Sequence, residues 1–270
     1  MNLARMRDLY MDDGLGFDSA SARACQDAFL TMVAASDFAD KVTFKGGVVM
    51  QQVSGDLRRA TQDIDFDFMR HSIADRSIRA FIAKVNKGGR GVRIRIDGPI
   101  EKLKHQDYDG KRVHIVISDG EGNSINTKLD IGVHKDLSIR QRSICFDVMS
   151  SDAGVSLLAN SGEQLVAEKL KSLLRLGARS TRYKDVFDIY YQVKVKGVDR
   201  SGLDECVGRY IFEDEGMREV CWGDVYRRLE SVLEDKRFVR NLSNAKNNWL
   251  DLSVQKVTKG ILSYVAGCAR

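Results

Sequence analysis

The stretch TQDIDFDFM, Thr61 to Met69, alternates three aspartates (Asp63, Asp65, Asp67) with Ile64, Phe66 and Phe68. A strand turns successive side chains to opposite faces, so the apolar three would enter a core and the carboxylates would share the other face. Carboxylates packed that closely repel, and each resists ionising beside its neighbours. That face is therefore either open to water or matched by something positive. A calcium loop also starts with alternate carboxylates, but it needs a glycine and then a glutamate at fixed later positions. Counted from Asp63, those positions hold Phe68 and Ala74. What remains is a strand edge carrying two or three carboxylates, the usual platform for Mg2+, which takes one or two carboxylates plus phosphate oxygens and water.

Upstream, VTFKGGVVMQQVSG runs from a β-type segment through Gly46-Gly47 into a helix-like one. A glycine pair at a strand-to-helix turn lets the backbone approach a ligand, and the amides opening the helix then face an anion, most often phosphate. The spacing is not that of a P-loop, and a plain turn would account for it equally. Downstream, SINTKLDIGV sets Ile125, Thr127, Leu129 and Ile131 on one face and Asn126, Lys128 and Asp130 on the other. Asp130 could supply the third carboxylate that a two-metal platform wants from a neighbouring strand. Two wet strand faces with solvated acids fit the pattern as well.

The chain divides by pattern near residue 150. Before it, strand-like segments at 41–44, 64–69, 92–96, 112–118, 124–133 and 143–148 alternate with helix-like ones at 18–36, 47–54 and 75–86. After it the reading is almost wholly helical: 162–177, 183–195, 201–211, 222–235 and 243–267. The expected architecture is α+β, a mixed-sheet domain over 1–155 followed by a helical domain over 156–270.

Within that helical half, EQLVAEKLKSLLRLG carries an apolar stripe through Leu165, Val166, Leu170, Leu173 and Leu176, and Lys169 falls inside it. A lysine there either snorkels past the core or meets an anion, for which a phosphate or the aspartate platform would serve. The following segment, RYKDVFDIYYQV, buries Tyr183, Val186, Phe187 and Tyr190. Asp185 and Asp188 then share the opposite face, as ordinary solvated acids would.

Bulk properties bound the rest. At 270 residues, with 43% hydrophobic and 30% charged content, the chain is long enough for one large or two ordinary globular domains. No window approaches ~18 consecutive apolar residues, so no transmembrane helix is expected. The acid-containing start does not read as a signal peptide, and a cytoplasmic location is expected. Five scattered cysteines and four dispersed histidines (His71, His105, His114, His134) argue against a disulfide frame or a zinc site. A net charge of +5 suits an anionic partner such as nucleic acid without requiring one. Basic clusters lie at Arg58-Arg59, 87–95 and 175–184.

Together, FKGGVVMQQVSGDLRRATQDIDFDF, EQLVAEKLKSLLRLG and RYKDVFDIYYQ resemble the AbiEii-type nucleotidyltransferase toxins of AbiE-type toxin–antitoxin and abortive-infection systems, within the wider DNA polymerase β-like superfamily. The similarity lies in a lysine–glycine–glycine turn, an aspartate strand, a glutamate–lysine helix and an aspartate–tyrosine helix, in order, over 42–195. The resemblance implies a polymerase β-like domain whose helical partner contributes Lys169 and Asp185 to the cleft. It implies that Asp63, Asp65 and Asp130 hold Mg2+ or Mn2+, and that Lys45, Gly46 and Gly47 bind the nucleotide. Lys169 would contact the triphosphate, Asp185 would be a further catalytic carboxylate, and Asp188 its supporting neighbour. The family usually has serine or threonine after the glycines, where this chain has Val48. The implied reaction is transfer from a nucleoside triphosphate to RNA, for some members the 3′ end of tRNA, with a cognate antitoxin from a neighbouring gene as partner. Two alternatives stay open: a protein or small-molecule acceptor, and a non-catalytic nucleotide- or RNA-binding module.

Overall fold

A computed structural model describes residues 1–89, 91–103, 110–244 and 248–270. His105, Arg90 of the basic stretch 87–95, and part of the expected helix 243–267 lie outside these. Helices α1 (Leu3–Asp12) and α2 (Phe17–Ala34) precede β1 (Val42–Lys45), α3 (Gly46–Ser54), β2 (Ile64–Met69) and α4 (Asp75–Lys87). Then come β3 (Val92–Lys102), β4 (Lys111–Asp119), β5 (Ser124–His134), β6 (Arg142–Val148) and β7 (Ser151–Ala159). The strands form one mixed sheet in the order β3-β4-β5-β2-β1-β7-β6. β2 runs antiparallel to β1 and parallel to β5, which places it at the centre.

The period-two pattern of the quoted stretch decides this packing. Ile64, Phe66 and Phe68 are fully buried on one face, with Phe44 of β1 beside them. Phe29 of α2 and Phe81 of α4 close over that face, with ring centroids 5.6–5.8 Å from Phe66. Burying a phenylalanine contributes roughly 1.5–3 kcal/mol, so this aromatic cluster is a main reason the sheet and its helices hold together. The opposite face of β2 is left for the aspartates.

The helical remainder comprises α5 (Gly162–Leu176), α6 (Tyr183–Tyr190), α7 (Arg200–Val207), α8 (Trp222–Leu233), α9 (Lys236–Leu242) and α10 (Val254–Cys268). Short π-helical segments, Tyr191–Lys196 and Gly208–Phe212, extend α6 and α7. Ser161 caps α5 by accepting from the Gln164 amide. The stripe of α5 is buried as expected, except that Leu176 at its end is exposed. α10 comes close to α6 because residue 260 is glycine: a Cβ there would lie 2.5 Å from the Tyr190 ring. The described residues cluster into two compact units, Met1–Asn160 and Ser161–Arg270. The α+β architecture, a mixed sheet followed by helices, agrees with the reading of the sequence.

Three elements differ from expectation. α1 was not anticipated, because its buried residues Leu3, Met6 and Tyr10 are spread through a strongly polar segment. β7 was not anticipated either: Gly154 interrupts its pattern, yet must be glycine because a Cβ would lie 2.6 Å from the Phe146 carbonyl at the bulge of β6. Of the helix expected over 243–267 only α10, from Val254, is found among the described residues, and the short α9 ends before that span, at Leu242. Asp235 and Ser253 cap α9 and α10.

Candidate active site

The glycine turn and the aspartate strand are one construction. Gly46 adopts φ +63°, a conformation glycine takes without strain, and a Cβ there would stand 2.6 Å from Asp65 Oδ2. A Cβ on Gly47 would meet Thr61 Oγ1 at 2.3 Å. The glycine pair therefore makes room for side chains of the 61–65 segment and seats the Asp65 carboxylate at the N-terminus of α3. Helix N-termini favour negative charge. Val48 is buried in α3, so the valine standing where the family's hydroxyl usually is packs into the core.

On the polar face of the sheet, cross-strand register lines up Arg112, Asp130, Asp65 and Lys45 on four adjacent strands. The charges alternate only in part: cation, anion, anion, cation. Arg112 donates from Nε to Asp130 Oδ1 at 2.8 Å and from Nη2 to Oδ2 at 2.7 Å, a bidentate pair with Asp130 buried. One register step away, Lys128 Nζ lies 3.0 Å from Asp63 Oδ1. Lys45 Nζ lies 2.6 Å from Asp67 Oδ1, and both groups are buried. Hydrogen bonding to Asp130 raises the Arg112 pKa above its usual value, and the charges of Asp63 and Asp65 add to that. The question posed by the clustered aspartates is thus answered by cations from three neighbouring strands. Arg112 was not singled out in the sequence, because its importance lies in a cross-strand register that no local pattern reveals.

In the helical unit, Lys169 Nζ lies 2.6 Å from Asp185 Oδ1 and 2.8 Å from Asp188 Oδ2. Asp188 is completely buried and also accepts from Trp249 Nε1 at 3.1 Å. The solvated-acid reading of Asp185 and Asp188 is therefore corrected. Asp188 faces inward because the ammonium misplaced in the apolar stripe of α5 must be neutralised. Tyr183, expected in the core, is only half-buried.

Among the described residues, no three His, Cys, Asp or Glu side chains are grouped so as to hold a metal ion. The chemistry of Asp63 and Asp65 nevertheless suits one: hard carboxylate oxygens on one face, with the lack of a Cβ on Gly46 leaving room for the Asp65 carboxylate. The lysine on Asp63 is partly exposed and readily displaced. Two of the histidines are otherwise placed: His71 packs edge-on to Phe38 and Phe68, and buried His134 lies 3.3 Å from the Ile139 carbonyl. The cysteines are free, with Cys25, Cys206 and Cys268 buried and Cys145 and Cys221 exposed.

A protein-family profile described as "Nucleotidyl transferase AbiEii toxin, Type IV TA system" matches residues 28–250. The chain belongs to the AbiEii nucleotidyltransferase toxin family. The match reaches beyond 42–195 and takes in α7, α8 and α9, which carry no recognisable motif, while α10 lies past its end. As a member, the chain is a nucleotidyltransferase of a type IV toxin–antitoxin system, which implies an antitoxin as its counterpart. Among solved structures, it is similar to an antigenic nucleotidyltransferase-like protein from Paracoccidioides brasiliensis, at 14% identity and a TM-score of 0.44, covering 87% of this chain and 93% of that one. No curated protein matches the sequence. Among the described residues, no helix of this AbiEii chain is long and apolar enough to cross a membrane.

Proposed function

We propose that the chain is a growth-arresting toxin of the cytoplasm that transfers nucleotides from a nucleoside triphosphate to RNA, with the 3′ end of tRNA as acceptor and Mg2+ as cofactor. The observation that carries this reading is the carboxylate face of β2, where Asp65 lies against the glycine turn and beside the strand bearing Asp130. Asp63 and Asp65 would hold the divalent ion. When bound, that ion supplies positive charge to the phosphate oxygens and to the attacking and leaving oxygens. Asp130 completes the row and orients Arg112.

The acceptor hydroxyl oxygen forms a bond to the α-phosphorus, the bond to the β-phosphate oxygen breaks, and pyrophosphate leaves as the hydroxyl proton passes to solvent. Such a reaction asks little covalent chemistry of the protein, so positioning and charge supply most of the rate. The backbone of Lys45, Gly46 and Gly47 opens α3 and offers amides to the nucleotide phosphates. Lys169 takes the triphosphate, with Asp185 as a catalytic carboxylate and Asp188 holding the ammonium in place. Basic stretches 87–95 and 175–184 would hold an RNA backbone, which makes binding salt-sensitive.

The test mixes the protein with each labelled triphosphate and total tRNA, with and without chelator, and separates the products on a gel. Label should appear on tRNA, only with free Mg2+, and be absent with Asp65→Ala. Label on protein alone favours a protein acceptor, and label nowhere favours a binding module; either result contradicts the proposal.

A further inference from the structure

Asp130 occupies the position where a third metal-holding carboxylate is expected, yet its two oxygens are both engaged. Arg112 grips them with hydrogen bonds of 2.8 and 2.7 Å, in the planar fork that matches a carboxylate. The carboxylate is buried whereas the arginine side chain is about one-third exposed, so the guanidinium closes Asp130 off from the open side of the face. Asp63 differs. Its partner is a single lysine ammonium at 3.0 Å, on a flexible and partly exposed stem. A hydrated divalent ion displaces one such ammonium far more easily than a bidentate arginine, since the fork gives up two charge-assisted bonds at once.

We infer that Asp130 serves as the anchor of Arg112 rather than as a metal ligand, and that Arg112 supplies the cationic charge on that side of the carboxylate row. The platform then takes one divalent ion, on Asp63 and Asp65, where a three-carboxylate platform would take two. On this face Lys45 pairs with Asp67, Arg112 with Asp130 and Lys128 with Asp63. When an ion displaces Lys128 from Asp63, Arg112 and Lys45 still cover Asp130 and Asp67. The Arg112 side chain is about one-third exposed, so its remaining N–H donors would be available to recognise a phosphate oxygen. The elevated pKa of Arg112 keeps it charged throughout.

This inference rests on the metal-dependent reading of Asp63 and Asp65, and the experiment separates the two. Mn2+ is titrated into the full-length chain without nucleotide, and bound ions are counted by calorimetry and by the EPR signal of free Mn2+. One ion per chain is expected for the parent. Asp130→Asn should bind that ion within about threefold of the parent affinity. Arg112→Gln should free the Asp130 oxygens, adding a second ion or tightening binding about tenfold. A tenfold loss in Asp130→Asn would overturn the inference, as would an Arg112→Gln variant unchanged in number and affinity. Should Asp130→Asn fail to fold, Arg112→Gln decides alone. By contrast, a parent that binds no Mn2+, or binding that survives Asp65→Asn, overturns the metal reading itself and the inference with it.

Discussion

The carboxylate face of the sheet and the Lys169 cluster of the helical unit use the same groups to opposite ends. On the face, Asp63 and Lys128 are each about one-third exposed, at 32% and 37%, and Arg112 is 34% exposed. In the cluster, Lys169, Asp185 and Asp188 are 9%, 13% and 0% exposed. Partly solvated pairs contribute about 1 kcal/mol or less and exchange partners readily. Buried ones are expensive to form and more expensive to break, because the group left behind has no water to turn to. The Asp63–Lys128 pair is thus arranged so that its cation can yield to a ligand, whereas Lys45 and Asp67 on the same face, 9% and 8% exposed, are as enclosed as the cluster. The cluster keeps a single ammonium in one place.

This contrast can be broken experimentally, and the largest effect should fall on chemistry rather than stability. Asp65→Ala should lower the nucleotidyl-transfer rate about ten-thousandfold, roughly 5 kcal/mol of transition-state stabilisation, while shifting the thermal midpoint by no more than a few degrees. A variant that unfolds instead would place Asp65 in the structural class. Next comes Lys169→Met, which leaves the carboxylates of Asp185 and Asp188 close together without their ammonium. Urea denaturation should show a loss of about 4 kcal/mol, and a loss below about 1 kcal/mol would put the cluster on a par with surface pairs.

A third acid sharpens the comparison from within the sheet unit. Asp27 of α2 is buried beside Arg23, accepts from Tyr10 Oη and from the Met149 amide, and has its pKa pushed up to about 6 by burial. Because the folded pKa exceeds the ordinary 3.8, the folded chain holds this proton over a range where the unfolded chain has lost it. The associated stability is therefore present below about pH 4 and fades as pH rises through 6, by at most about 3 kcal/mol. Measured by denaturant unfolding, Asp27→Asn should flatten that slope relative to the parent between pH 4 and 7. Identical slopes would contradict the assignment.

Much of the sheet unit was legible because its signals are local. Alternation in Ile64–Met69 dictated which face of β2 enters the core, and glycine at 46 and 47 marked the turn. β7 escaped notice because its pattern is broken by Gly154, whose need is set by a backbone 8 residues earlier in the chain, at Phe146. In the site, the aspartates were visible and their partners were not. Arg112 meets Asp130 through strand register, and Lys128 and Lys45 reach Asp63 and Asp67 only because β5 and β1 lie on either side of β2. In the helical unit, Lys169 stood out as a charge in an apolar stripe. That Asp188 turns inward to meet it depends on how α6 packs against α5 and on Trp249, far along the chain.

The most direct measurement is sequencing of tRNA 3′ ends after brief expression in growing cells, with parent and Asp65→Ala compared at equal protein level. The account predicts growth arrest with non-templated nucleotides on tRNA ends for the parent, and normal growth with unmodified ends for the variant. Equal extension from both proteins, or arrest by the parent with tRNA ends unchanged, would contradict it.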